Sequence, residues 1–302
     1  MMAGFISIVP IIFSFMSFAA ISTYLIKDLS IIATHGKAFN NIDNDNNKSF
    51  LSSLRVPKQY FSHFYITGCF ISLICFILSI HNGSKSSESN ELRHIAITLF
   101  GLHCLHRYLE CKYITIYGTS TIHLAGYLVG LFHYIIIPLS MLYSEQSVHI
   151  TLLFTNISDE FRLYYLLLMI FLYVIASMSQ YICHYILYQL KLNSYSGTKI
   201  GVNRPLIRIE SCRLVEDSKS DTIYQLPPGF LFNYICCPHY TMEIIIYIVL
   251  YNINPTITQA SILMWVAVNL SVTASVQYTW YNKHYMYEMK RRGIRRLIPL
   301  IW

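Results

Sequence analysis

Charge is what this chain has least of. Asp, Glu, Lys and Arg make up 12% of its 302 residues, against about 25% in soluble domains. The scarcity excludes an ordinary water-soluble domain, and a hydrophobic share of 54% with mean hydropathy +0.44 points to a bilayer instead. Other absences narrow the chemistry. There is no G-x-G-x-x-G stretch, so no Rossmann dinucleotide domain, and no P-loop. A di-iron membrane oxygenase needs several histidine boxes, and only His103 and His106 pair locally. No Ser-His-Asp set stands out by spacing. Seven of the eight cysteines fall inside apolar stretches and only Cys212 in a loop, so no disulfide framework is implied. Cys236-Cys237-Pro238-His239 and His103-Cys104-Leu105-His106 lack a second ligand pair at zinc spacing, and no metal site is expected.

What is present is a series of long apolar segments: 4–26, 61–80, 94–117, 121–143, 161–189, 228–253 and 258–280. A span needs about 20 mostly apolar residues. Such continuous segments suit helices, not alternating barrel strands. The expectation is an all-α integral membrane protein, one bundle of about seven transmembrane helices. Residues 1–302 form a single domain, with 1–55 a first helix and a cytosolic Asn-rich loop and 56–302 the core. The first segment has no basic start and no clear small-residue cleavage site, so it reads as a retained span. Asn40–Ser53 reads as a polar insertion. Sequons stand at Asn82 and Asn156.

With seven spans, 17 Lys and Arg lie in the 27–60 and 190–227 loops and the tail, against three on the other side (Lys85, Arg93, Arg162). That bias places the C-terminus in the cytosol. It accounts for the net charge of +7 through topology and anionic lipid head groups, so no nucleic-acid partner is called for.

Ionisable groups inside the spans are the strongest functional signal, because charge in a bilayer is costly. On a helix of about 100° per residue, His103, Arg107 and Glu110 fall within roughly 60° of one another, and Arg107 and Glu110 can pair at i, i+3. A self-neutralising pair inside the bundle is one reading, and a polar pocket in an apolar shell is the other. Gln180, His184 and Lys191 form a second stripe. There an interhelical hydrogen bond is the plain alternative. His239 and Glu243 follow Pro238 at i, i+4. His63 stands almost alone in its segment, and an interfacial histidine is its plain reading. Gln277–Tyr281 ends the last segment, where an aromatic interface belt is also normal.

Five collinear motifs carry a resemblance over most of 56–302: VPKQYFSHFY (56–65), LHCLHRYLECKYITIY (102–117), SQYICHYILYQLK (179–191), LPPGFLFNYICCPHYTMEI (226–244) and WYNKHYMYEMKRRGIRRLIPLIW (280–302). Together they resemble the steroid 5α-reductase family, in its polyprenol (polyprenal) reductase branch. The resemblance implies a seven-helix endoplasmic-reticulum enzyme that uses NADPH to saturate a carbon–carbon double bond. It implies cofactor contacts at Gln180, His184, Lys191, His239, Glu243, Gln277 and Tyr281. His63 falls at or beside the position of a substrate-facing Glu in steroid-reducing relatives, and Cys104 replaces their catalytic Tyr. That favours a polyisoprenoid lipid over a steroid. Departures from the family pattern are Phe230 at a second Gly, Asn233 at a Glu, Tyr278 at a His of the branch, and Lys290-Arg291-Arg292 at a Tyr-Pro-Lys.

Hydride attacks only a polarised alkene, which an α,β-unsaturated aldehyde offers and an allylic alcohol does not. The expected reaction is reduction of the α-isoprene double bond of a polyprenal-type substrate, feeding dolichol synthesis and N-glycosylation. A positioned donor then stabilises the enolate oxygen. His63, or His103 oriented by Glu110, is the expected donor. The alternatives are reduction of another enal or enone lipid, and a seven-helix transporter or receptor without chemistry.

Overall fold

The computed structural model describes residues 8–26, 54–82, 88–118, 120–143, 158–196 and 225–298. The Asn40–Ser53 insertion, the Asn156 sequon, the side chain of Asn82, Cys212 and most of the two basic loops lie outside them. The described chain is helical apart from two three-residue strands. In order come α1 (Val9–Leu25), β1 (Arg55–Pro57), α2 (Phe61–Asn82), α3 (Glu88–Tyr113), β2 (Thr121–His123), α4 (Leu124–Tyr143), α5 (Asp159–Ser196), α6 (Pro238–Ile253), α7 (Ile257–His284) and the short α8 (Met286–Arg292).

The helices α2, α4, α5 and α7 are long and apolar enough to cross a membrane. The others fall short for visible reasons. α1 and α6 have 17 and 16 residues, under the ~20 that a span needs. α3 has 26 residues but carries Glu91, Arg93, Arg107, Glu110 and Lys112. With 38 residues, α5 is about 57 Å long at ~1.5 Å per residue, nearly twice the hydrocarbon thickness. The sixth segment, expected from residue 228, becomes helical only at Pro238. Gly229 (φ 77°) and Phe230 (φ 47°) both sit in the left-handed region, and a 3₁₀ turn over Phe230–Asn233 follows. A Cβ is disfavoured there, so Phe230 holds a backbone shape suited to glycine. Pro138 lies within α4, which runs through it.

α2 packs against both α3 and α4. α6 lies against α5 and α7, and α1 covers α7. α3 meets α6 across the middle and joins the two halves. β1 and β2 pair antiparallel with Val56 opposite Ile122, and Arg55 Nε donates to Thr121 Oγ1 at 2.8 Å. This clasp ties the entry of α2 to that of α4. The tail straps the start of α6: Cys236 N donates to Arg295 O at 2.7 Å, Arg295 N to Tyr234 O at 2.9 Å, and Thr241 Oγ1 to Leu297 O at 2.7 Å.

Two glycines show how closely α2 and α4 approach. A Cβ on Gly130 would lie 2.7–3.0 Å from three atoms of the Phe64 ring, whereas one on Gly126 meets nothing within 4 Å. Gly130→Ala is therefore expected to destabilise the protein by about 1–3 kcal/mol, the usual range for overpacking, and Gly126→Ala to leave it nearly unchanged. Thermal unfolding of the two variants in detergent checks this. Equal melting temperatures would contradict it.

Candidate active site

Charged and amide side chains from α3, α5 and α6 meet where those helices converge. From α3, His103 Nε2 lies 3.1 Å from Glu243 Oε1 on α6. From α5, Gln180 Nε2 donates to Glu243 Oε2 at 2.5 Å and more weakly to His239 O at 3.4 Å. Glu243 is thus held from both sides. One turn further along α3, Arg107 Nη1 pairs with Glu110 Oε2, and His184 Nδ1 lies 2.7 Å from Arg107 Nη1 and 2.8 Å from Glu110 Oε2. A single ring nitrogen cannot accept from the guanidinium and donate to the carboxylate at once, so the tautomer of His184 decides which bond it makes. His106 Nε2 reaches Glu110 Oε1 at 3.4 Å. Arg107 Nη2 donates to Tyr65 Oη on α2 at 3.2 Å.

Burial gives these contacts their weight. His103 is fully buried and Glu110 is 1% exposed. A charge so placed stays only where partners offset its desolvation. Two carboxylates stand against one guanidinium, and His103, His106, His184, Gln180 and Tyr65 supply further polar contacts. The ring of His184 lies 5.3 Å from that of His239, which extends the cluster to the start of α6. Beside it, His133 Nε2 and Tyr247 Oη lie 2.9 Å apart.

Six of the expected site residues come together: His103, Glu110, Gln180, His184, His239 and Glu243. The pairing differs from expectation at one point. His103 is oriented by Glu243, not by Glu110, because α6 presents a carboxylate across from it while Glu110, seven residues further along α3, turns to Arg107 and His184. His63 is not in the cluster. It is exposed at the start of α2, with Nδ1 3.0 Å from Tyr127 Oη and its ring stacked on Tyr60 at 4.8 Å. Lys191 lies two turns beyond His184 and is partly buried. Gln277 and Tyr281 sit one turn apart on α7. Tyr281 packs with Trp280, Tyr285 and Cys237 in a separate apolar cluster that reaches the start of α6. Tyr65 and Tyr247 went unmarked, being two of 25 tyrosines with no spacing to set them apart. Among the described residues no group of three or more His, Cys, Asp or Glu is arranged to hold a metal ion.

Residues 132–302, more than half of the chain, match the profile of the 3-oxo-5-alpha-steroid 4-dehydrogenase family. The chain belongs to this family. The steroid 5α-reductase resemblance of the five motifs is thereby upheld, and the chain is a reductase acting on a carbon–carbon double bond. It is similar to the polyprenal reductase of Caenorhabditis elegans, 27% identical over 94% of this chain and 91% of that protein. It is similar also to that of Xenopus tropicalis, 27% over 84% and 82%, and to that of Saccharomyces cerevisiae, 28% over 82% and 78%. The 5α-reductase profile spans Gln180, His184, His239, Glu243, Gln277 and Tyr281. The α3 cluster lies ahead of it, in the stretch that the longer matches to the polyprenal reductases cover.

The cluster also leaves groups to fill. Gln180 Oε1 and Arg107 Nε are buried without a hydrogen-bond partner, although buried polar atoms are normally satisfied. A planar carboxamide has both a donor and an acceptor to offer such a site. The nicotinamide end of a dinucleotide therefore fits the groups present.

Proposed function

We propose that this protein reduces the α-isoprene double bond of a polyprenal-type lipid with NADPH, feeding dolichol synthesis and so N-glycosylation. The observation that carries the reading is Glu243, gripped by His103 and Gln180 at the meeting of three helices, with Gln180 Oε1 left to accept. The polyprenal reductases to which the chain is similar support the substrate class. The electronics support the aldehyde, since only a conjugated carbonyl makes the β-carbon electrophilic.

Gln180, His184, His239 and Glu243 would hold the nicotinamide half, and Lys191, Gln277 and Tyr281 the remainder. NADPH supplies the hydride when bound. The chain orients the enal, shields it from water and moves the protons. His103 is placed to hold or release a proton at Nε2 against Glu243. His63, at the exposed start of α2, is placed to meet a polar head entering from the aqueous side. The apolar outer faces of the helices leave the isoprenoid tail in lipid.

In this reading α1 to α7, the short α1 and α6 included, all cross the endoplasmic-reticulum membrane, with the C-terminus cytosolic. The 17-to-3 distribution of Lys and Arg supports that orientation. The test is purified protein in lipid nanodiscs with polyprenal and NADPH. The expected result is an α-saturated aldehyde formed with equimolar NADPH consumption. NADPH binding without turnover of polyprenal, but with turnover of a 3-oxo-4-ene steroid, would move the substrate class to steroids.

A further inference from the structure

Tyr65 sits at the edge of the charged network with its hydroxyl proton unengaged. A guanidinium offers only donors, so the 3.2 Å contact from Arg107 Nη2 makes the Tyr65 oxygen an acceptor and leaves its O–H free to donate. Among the described residues that proton has no acceptor. The side chain is buried, at 9% exposure, so bulk water does not readily take its place. Arg107 also stands over the Tyr65 ring, 5.1 Å from its centroid. A cation on both the oxygen and the ring face polarises the O–H and strengthens the phenol as a donor. The ring is fixed by Tyr134 at 5.1 Å, edge to face, and Tyr134 stacks on Phe64 and Phe100.

The other two expected donors compare poorly. His63 is bonded to Tyr127 and exposed. A neutral His103 that donates from Nε2 to Glu243 has only an acceptor left at Nδ1.

We infer that the Tyr65 hydroxyl, polarised by Arg107, is the donor to the carbonyl oxygen of the enal; this rests on the enal reading above. Hydride from NADPH forms the new C–H bond at the β-carbon, and the alkene electron pair moves to make an enolate. The Tyr65 O–H bond breaks toward the enolate oxygen and gives an enol, with the phenolate facing Arg107. The enol then collapses to the saturated aldehyde. Its O–H proton returns to Tyr65 while the α-carbon takes a proton from solvent, so one hydride and one proton are added in all.

The test compares wild type with Tyr65→Phe, which removes only the oxygen. Loss of one such donor is expected to lower kcat by about 10²–10³-fold with NADPH affinity unchanged. The second readout needs no cofactor. The carbon-13-labelled carbonyl of a bound short-chain enal should absorb at lower infrared frequency in wild type than in Tyr65→Phe. Difluorotyrosine in place of Tyr65, a stronger donor of nearly the same shape, should lower the frequency further, and this arm holds even if the Phe variant folds poorly. Full turnover with an unmoved carbonyl band in Tyr65→Phe overturns the inference, as does a band indifferent to difluorotyrosine. A wild-type protein that binds NADPH yet leaves enals untouched defeats the enal reading itself, and this inference with it.

Discussion

Glu243→Gln is expected to weaken NADPH binding by roughly 10-fold to 150-fold, matching the ~1.5–3 kcal/mol that a hydrogen bond to a buried charged group contributes. The geometry explains why so small a change is so costly. Each carboxylate oxygen of Glu243 takes one contact, from His103 Nε2 and from Gln180 Nε2. An amide replaces one acceptor with an NH₂ group, which then faces either the Gln180 amide, donor against donor, or His103 Nε2, which can accept only by shifting the ring proton to Nδ1. Gln180 is expected to turn, and its unpartnered Oε1 moves with it. The cofactor then loses a receptor group as well as a charge. Titration of the purified variant by NADPH fluorescence gives the dissociation constant, and circular dichroism verifies that the helices persist. Binding within threefold of wild type, in a folded variant, would take Glu243 out of the cofactor site.

Helical spacing alone made each half of the cluster legible. His103, Arg107 and Glu110 share a face of α3, Gln180 and His184 a face of α5, and His239 and Glu243 a face of α6, and these faces do meet. Which side chain would meet which across helices was not legible, because periodicity fixes a residue's angle on its own axis and says nothing of its height against a neighbour. So His103 was expected to lean on Glu110 and leans on Glu243 instead. His63 was expected at the reacting centre because it falls at or beside the position of a substrate-facing Glu in steroid-reducing relatives. Two positions along a helix rotate a side chain by about 200°, and the buried place goes to Tyr65 while His63 faces outward. Helix ends were not legible where hydropathy runs on through a left-handed turn: the sixth segment was expected from residue 228, and Gly229 and Phe230 hold off the helix until Pro238. The polar start of α3, from Glu88 to Arg93, was invisible to a search for apolar runs.

Glu110→Ala is expected to destabilise the folded protein by about 3–5 kcal/mol, because it strands a buried guanidinium. Arg107 reaches Glu110, His184 and Tyr65, yet only Glu110 in that set carries a formal negative charge. His184 and Tyr65 satisfy N–H groups without neutralising them. The reverse single change, Arg107→Leu, leaves Glu110 within reach of His106 and His184, and a buried carboxyl can take up a proton whereas a guanidinium cannot lose one, so it is expected to cost less. Leu nearly fills the space of Arg whereas Ala leaves a void in place of Glu, so Glu110→Gln, which removes the charge at nearly constant volume, is the control that separates a charge effect from a packing effect. The double variant Arg107→Leu/Glu110→Leu removes both charges and is expected to recover much of the loss caused by Glu110→Ala. It should still be inactive if Arg107 polarises Tyr65. Thermal unfolding of the four variants decides the matter. If Arg107→Leu proves more damaging than Glu110→Ala, or if Glu110→Gln is nearly neutral, a stranded guanidinium is not the dominant cost at this point of α3. If the double variant is as unstable as the sum of the singles, the two residues do not act as a pair.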